Sequence, residues 1–367
     1  MRVLFISRSL PYMGGRERIV EDLMGYFSEE NKVSLIAPDE GKRRRGVNIF
    51  NSEISLSDIE KFVKKQNPEV ISCHTFYLAN LAIRLSKKFN IPLIFTLHGV
   101  FVKFYDKDYS LILRRIYKNS EVITTVSESY KKQLSTLFNS RNSDNIKVIK
   151  NGVDDLGFRH SSKHKNLVKN KFKLPINKKI IITPARLNKI KGLDYLVRAA
   201  RKISQKNSDV FFLISSPKGR KNDSEKIYKN KLKGLIGNIR NIKFLNLSHD
   251  ELLEVYPACD LCLLPSLIEG ISLSVLEAMS SGLIVAASKV GGNVEIIKSG
   301  NNGFLFKASN SEAIVRAVNN IMNMRAAKKR KIINNAKKTV GVYFSKREML
   351  KSYESLFKNI ILNYENK

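Results

Sequence analysis

Tryptophan is absent from this 367-residue sequence, and cysteine occurs only three times. Three thiols, odd in number, exclude a disulfide framework and point to a reducing compartment. Cys259 and Cys262 form a CxxC pair, but no second Cys or His pair at ligand spacing follows. Cys262 lies inside the apolar run LCLLPS, so both cysteines read as small buried hydrophobes beside a strand, and no metal site is expected. No apolar run has membrane-spanning length, because IPLIFTLHGVFV is interrupted by His98 and ends at Lys103. The first apolar segment, RVLFIS, is too short for a secretory signal and is followed by Arg8 and Pro11. The expectation is a cytoplasmic protein, soluble or peripheral at the cytoplasmic face of a membrane.

Acidic residues are scarce as well: 33 Asp and Glu face 65 Lys and Arg, for a formal net charge of +32. Clusters such as KRRR at 42–45 and KKRK at 328–331 contribute to it. A field of this sign attracts polyanions such as nucleic acid, anionic lipid surfaces or phosphorylated substrates. No RNP, KH, zinc-finger or helix-turn-helix signature accompanies the charge, so no specific nucleic acid is expected.

What is present is a regular alternation. RVLFIS, KVSLIAP, EVISCHT, PLIFTLHG, EVITTVSES and IKVIKNG are separated by helix-like segments such as ERIVEDLMGYF, with a polar loop after KVSLIAP. Strands alternating with helices give a parallel, doubly wound α/β sheet. The rhythm stops after IKVIKNGVD, where residues 159–179 are rich in Lys, His, Asn and Ser. It restarts with KIIITPA, DVFFLISS, NIKFLNL, DLCLLPS, LIVAAS and GFLFKA. Two similar wound sheets are expected, over 1–160 and 178–344, joined by a basic linker at 161–177. The tail, 345–367, carries Met349, Leu350, Tyr353, Leu356, Phe357, Ile360 and Ile361 at three-and-four spacing. That spacing predicts one amphipathic helix with a docking partner.

Ligands of wound sheets collect beyond the carboxyl ends of strands, so the residues just after strands carry the information. After DLCLLPS come Glu269, Gly270, Ile271 and Ser272, then a helix whose N-terminus favours an anion such as a diphosphate. Gly270 permits close approach to the backbone. A carboxylate at Glu269 is unfavourable beside an anion unless it binds hydroxyls, which a sugar offers. Glu277 has an ordinary alternative, because Ser274-Val-Leu-Glu277 fits a capping box. After KIIITPA, Arg186 and Lys191 leave the strand at loop spacing and could neutralise a diphosphate, or simply be two cations of a basic chain. His98 follows another strand, where a structural histidine is the alternative. Gly14 and Gly15 suit either a ligand loop or a tight turn feeding a helix.

Taken in order, these segments resemble retaining glycosyltransferases of family four, of the glycosyl transferases group 1 type. EGISLSVLE followed by AMSSG matches the E-x7-E motif, and PARLNKIKG resembles the Arg/Lys diphosphate clamp. GGRERIVEDL, TLHG, TVSES, KNGVD and VGGNVEII agree in order along nearly the whole chain. The resemblance implies a GT-B fold: two Rossmann-like domains facing a central cleft, with the terminal helix returning to the first domain. It makes 1–160 the acceptor-binding domain and 178–344 the nucleotide-sugar-binding domain. The residue matching Glu269 contacts hydroxyls of the donor sugar, and the one matching Glu277 holds the ribose hydroxyls. Arg186 and Lys191 hold the departing diphosphate, while Gly270, Ile271 and Ser272 donate backbone N–H groups. His98 faces the sugar near its reacting carbon, Gly14 and Gly15 match a loop near diphosphate and acceptor, and His74 lies on the acceptor side. Ser274 stands where many relatives place proline and is expected to serve as an N-cap.

The implied reaction transfers a sugar with retention, from a nucleotide-diphosphate sugar as co-substrate, with no further cofactor and no metal. The implied acceptor is a glycan or a lipid-linked molecule, in cell-surface polysaccharide or glycolipid synthesis. Residues 103–120 combine Tyr109, Leu111, Ile112, Ile116 and Tyr117 with Arg114, Arg115 and Lys118. The segment suits an interfacial helix on anionic lipid, or a core-facing helix with a solvated basic face. Two other classes stay open: a polyanion or nucleic-acid-binding protein, and a catalytically silent nucleotide-sugar-binding protein on the same fold.

Overall fold

Runs of Ile, Val, Leu and Phe become parallel strands covered on both faces, the pattern of a wound sheet. The computed structural model describes residues 1–8, 14–38, 46–51, 55–99, 107–138, 145–154, 165–218 and 223–366. Two units result, Met1–Asn151 with Arg347–Lys367, and Gly152–Lys346.

The first unit is built from β1 (Arg2–Ile6), α1 (Gly15–Phe27), β2 (Lys32–Ala37), β3 (Val47–Asn51), α2 (Leu56–Gln66) and β4 (Val70–Cys73), then α3 (Ala79–Phe89), β5 (Leu93–Leu97), α4 (Lys107–Asn119), β6 (Val122–Thr125), α5 (Glu128–Phe138) and β7 (Ile146–Val148). Its seven strands run in the order β3-β2-β1-β4-β5-β6-β7, all parallel. The order reverses between β1 and β4. Helices α2 and α3 stop at Asn67 and Asn90, both in the left-handed region, after lysines that suit a helix C-terminus.

One expectation changes here and one open alternative is decided. Where the sequence suggests only a polar loop after KVSLIAP, β3 pairs with β2. It is an edge strand without one fully buried residue, so no continuous apolar run announces it. Helix α4 turns Leu113 and Ile116 into the core, with Tyr109, Ile112 and Tyr117 packed against it. Its apolar face is therefore core-facing, and an exposed stripe of Leu111, Arg114, Arg115 and Lys118 remains. Residues 103–106 of that segment, and the cluster at 42–45, lie outside the described residues.

The second unit comprises α6 (Lys165–Lys171), β8 (Lys179–Pro184), α7 (Leu193–Lys206), β9 (Val210–Pro217), α8 (Asp223–Ile236), β10 (Ile242–Leu247) and α9 (His249–Val255), then β11 (Leu261–Leu264), α10 (Leu273–Ser280), β12 (Ile284–Ser288), α11 (Asn293–Ile296), β13 (Phe304–Phe306), α12 (Ser311–Met322) and α13 (Ala326–Tyr343). The order β10-β9-β8-β11-β12-β13 is again fully parallel and reverses between β8 and β11.

Inside the stretch read as a basic linker, α6 buries Val168 and Lys169. The Lys169 ammonium donates to the carbonyls of Ile176 (2.9 Å) and Lys178 (3.0 Å), and burial lowers its pKa. A cation there satisfies backbone acceptors. Residues 161–164 lie outside the described residues. Cys259 and Cys262 are free and buried, and burial raises both thiols.

The last helix, α14 (Lys346–Glu365), belongs from Arg347 onward to the first unit. Phe357 stacks on Phe27 with ring centroids 5.0 Å apart and also meets Phe5 at 6.3 Å. The Tyr26 hydroxyl donates to Glu354 (2.7 Å) and that of Tyr364 to Asn90 (3.0 Å). Its apolar stripe thus covers β1 and α1.

Candidate active site

In the second unit, two loops leave the sheet where strand order reverses, one from β8 and one from β11. The first carries Ala185, Arg186, Leu187, Asn188, a tight turn over Lys189–Lys191, and Gly192. Gly192 has φ 63°, and a Cβ built on it would collide with the Pro265 carbonyl oxygen. Only glycine lets the two backbones meet so closely. The Leu267 N–H also donates to the Ile190 carbonyl at 2.8 Å. These contacts bring the Lys191 ammonium onto Glu269 Oε1, where it donates a hydrogen bond and forms an ion pair. The Ser266 hydroxyl donates to the same oxygen at 2.7 Å. Arg186 is exposed on the same loop.

The Glu269 loop is held from its other side by the turn after β12. Gly291 has φ 44°, and a Cβ there would collide with the Glu269 carbonyl oxygen; one on Gly292 would collide with the Gly270 carbonyl oxygen. The Gly292 N–H donates to the Glu269 carbonyl at 3.3 Å. Ser288 donates its hydroxyl to the Ser266 carbonyl, and Asn293 Nδ2 donates to the Ser288 carbonyl at 3.0 Å. VGGN therefore shapes the loop that presents Glu269, a supporting role the motif match left unassigned. Its one signal is a glycine pair immediately after a strand.

Helix α10 begins at Leu273 with Ser272 as N-cap, which makes no side-chain capping bond. Ser274 is therefore the second helical residue and not the cap, and the Ser274–Glu277 capping box does not form. Gly270, Ile271 and Ser272, all buried, lead into the positive end of the helix dipole. Glu277 lies deeper along α10 and is 4% exposed. The Tyr256 hydroxyl reaches its Oε2 at 3.5 Å, and His249 Nδ1 stands 3.9 Å from its Oε1. Burial, and then the Glu277 charge, push the Tyr256 pKa well up. His249 and Tyr256 were missed as candidates. A real capping box, Ser248 with Glu251, starts α9 and places His249 at its first position.

In the first unit, His74 and His98 follow directly on β4 and β5, which are parallel neighbours. His74 Nδ1 lies 2.9 Å from His98 Nε2, and His74 Nε2 lies 2.9 Å from Ser72 Oγ. His98 Nδ1 is buried and has no hydrogen-bond partner among the described residues. His74 is 1% exposed. Burial, then Arg16, lower its pKa to about 3; burial, then His74 and Arg16, hold His98 well below the ordinary value. Gly14 caps α1 and Gly15 is its first residue. The Arg16 guanidinium donates to Glu17 Oε1 at 2.6 and 3.0 Å. Residues 9–13, ahead of these glycines, lie outside the described residues.

The second unit thus joins cations and a helix N-terminus, which suit a diphosphate, to two carboxylates that suit hydroxyls. Among the described residues, no group of His, Cys, Asp and Glu is arranged to hold a metal ion.

The models for Glycosyltransferase Family 4 and Glycosyl transferases group 1 match residues 13–155 and 165–339. An uncharacterized glycosyltransferase of Methanocaldococcus jannaschii is 28% identical over 63% of this chain and 60% of its own length. The UDP-Gal:alpha-D-GlcNAc-diphosphoundecaprenol alpha-1,3-galactosyltransferase of Escherichia coli is 26% identical over 70% of this chain and 66% of its own length. Both matches therefore span somewhat less than two thirds of the relative. The crystal structure of Anabaena HepE in complex with UDP and glucose superposes with a TM-score of 0.84 at 20% identity, covering 98% of this chain and 100% of that one. The two Rossmann-like sheets are those of the GT-B fold, and the chain belongs to the group 1 glycosyltransferases of family 4 type.

Proposed function

We propose that the protein is a retaining glycosyltransferase that moves a sugar from a nucleotide-diphosphate sugar to a glycan or lipid-linked acceptor, in cell-surface polysaccharide or glycolipid synthesis. The observation that carries this reading is the pairing of Lys191 with Glu269 beside the N-terminus of α10. A diphosphate needs the cation and the helix end, and a sugar needs the carboxylate.

In this reading Arg186, Lys191 and the start of α10 hold the diphosphate and stabilise the charge that grows as the glycosidic bond breaks. Gly270, Ile271 and Ser272 add backbone N–H groups. Glu269 binds hydroxyls of the transferred sugar and Glu277 those of the ribose. His98 serves the sugar near its reacting carbon, and Gly14 and Gly15 serve the diphosphate and acceptor. The acceptor oxygen attacks from the face the diphosphate leaves, its proton passing to the departing phosphate. Because the leaving charge is met by these protein groups, the reaction is read as metal-independent.

The UDP bound to HepE and the donor and acceptor named for the E. coli relative support a UDP-sugar and a lipid-linked acceptor as the first pair to assay. The exposed Leu111, Arg114, Arg115 and Lys118 stripe supports peripheral binding to an anionic cytoplasmic membrane surface.

The test is thermal stabilisation by UDP, GDP, ADP and their sugars at two salt concentrations. A selective, salt-resistant shift for one nucleotide sugar is expected. Shifts that follow phosphate charge alone and vanish with salt would mean that the basic surface, and not a donor site, binds.

A further inference from the structure

We infer that Ser72 and His74 are positioning residues that fix the tautomer of His98, so that its Nδ1 carries the proton and donates a hydrogen bond to an oxygen of the donor sugar. The inference rests on the nucleotide-sugar reading above and deepens it.

Ser72 and His74 lie two apart along an extended chain, so their side chains leave it on the same side. Ser72 is fully buried, and its hydroxyl pairs with His74 Nε2. The three groups form one line, Ser72 Oγ to His74 Nε2, then His74 Nδ1 to His98 Nε2, ending at the unpartnered His98 Nδ1. With both rings neutral, the line runs in one of two directions. If Ser72 donates to His74 Nε2, then His74 is protonated on Nδ1 and donates to His98 Nε2. The His98 proton then sits on Nδ1, the single donor left over. If the line is reversed, His74 donates to Ser72, whose own O–H is then buried without an acceptor, and His98 Nδ1 is left as an unused acceptor. One unmet group against two selects the first direction, since every buried polar group left unmet forfeits its hydration without a compensating hydrogen bond.

Packing holds the rings in place. Phe5 and Tyr353 flank His74 with ring centroids at 6.0 and 6.4 Å. Tyr353 in turn hydrogen-bonds the paired hydroxyls of Thr96 and Thr124. A flipped His74 ring would present carbons to both Ser72 and His98. The leftover donor at His98 Nδ1 then calls for an acceptor, and a sugar hydroxyl or ring oxygen supplies one.

Long-range 1H–15N correlation on the full chain, labelled on histidine nitrogen, reads the tautomers at pH 7. The expected result is Nδ1–H for both His74 and His98. Ser72→Ala should mix the His98 tautomers and lower kcat about tenfold, as one neutral hydrogen bond is misaligned. UDP affinity should stay unchanged, and Ser72→Thr should restore the tautomer and the rate. A wild-type His98 protonated on Nε2 overturns the inference, with no variant needed. So does a Ser72→Ala protein with unchanged tautomer and kcat. Failure to bind any nucleotide sugar would strike the enzyme reading instead, while the tautomer is still read directly.

Discussion

Gly291 lies so close to the main-chain carbonyl of Glu269 that no Cβ fits between them. Gly291→Ala therefore adds both a left-handed strain, at φ 44°, and a collision with backbone. Gly300 separates the two effects, because its φ is also positive, at 81°, but nothing stands within 4 Å of its Cβ position. UDP titrations should show at least roughly tenfold weaker binding for Gly291→Ala, while Gly300→Ala loses only about 1 kcal/mol of stability. Equal affinities for the two variants would break the link between VGGN and the Glu269 loop.

Lys191 and Glu269 hold one another, and each is also assigned a part of the donor. Glu269→Gln keeps the size and removes the charge; Lys191→Ala removes the cation. Each should lower turnover on the order of a hundredfold to a thousandfold, by comparison with deleting an electrostatic donor, with folding intact. Because they share one contact, the double variant should lose less than the product of the two losses. Four rate constants decide it, and strictly multiplicative losses would show that the two residues act independently.

Phe357 is fully buried, stacked on Phe27 and in contact with Phe5. Phe357→Ala opens a cavity between α14, α1 and β1, and should destabilise the first unit by about 3–5 kcal/mol. Proteolysis should then cut the α14 segment faster while the second unit resists. Cleavage at the wild-type rate would mean that the helix is not held through this ring.

Where one physical signal dominated, the sequence was easy to read. β1, β5, β8 and β11 are apolar runs buried along nearly their whole length, and the spacing of α14 predicted one buried face. β3 escaped because an edge strand needs no apolar run. The lysines of α6 looked like linker because a lysine that caps carbonyls has the same letter as a solvated one. Lys191 and Glu269 could each be singled out from position after a strand, but their contact depends on Gly192 and Pro265 letting two loops touch. His74 and His98 are 24 residues apart, and only the register of β4 with β5 sets their rings together. Ser274 looked like a cap because the pattern S-x-x-E does not show where the first turn closes.

The buried histidines also set a pH dependence. Folded His74 titrates at about 3, whereas an unfolded histidine takes a proton near 6.5. Between those values the unfolded state binds a proton that the folded state refuses, so stability is full above about pH 6.5 and falls as the pH drops toward 3. His98, also held low by burial, His74 and Arg16, acts in the same sense. Of the groups around them, Cys73 is pushed up to about 12 and Tyr353 is raised too, so neither titrates in this window. The Arg16 guanidinium, ion-paired with Glu17 on α1, adds to the cost of a second cation. Carboxylates held low, such as Glu251 by Lys218 and Glu354 by Lys358, lose their contribution only below about pH 4.5. From pH 7 to 5 the first unit should therefore lose roughly 1–2 kcal/mol through His74, with His98 adding in the same direction. Denaturant midpoints at pH 7, 6 and 5 measure this, and His74→Phe, which keeps a ring between Phe5 and Tyr353, should flatten the slope. Parallel slopes for the wild type and His74→Phe would mean that His74 is not held neutral in the fold.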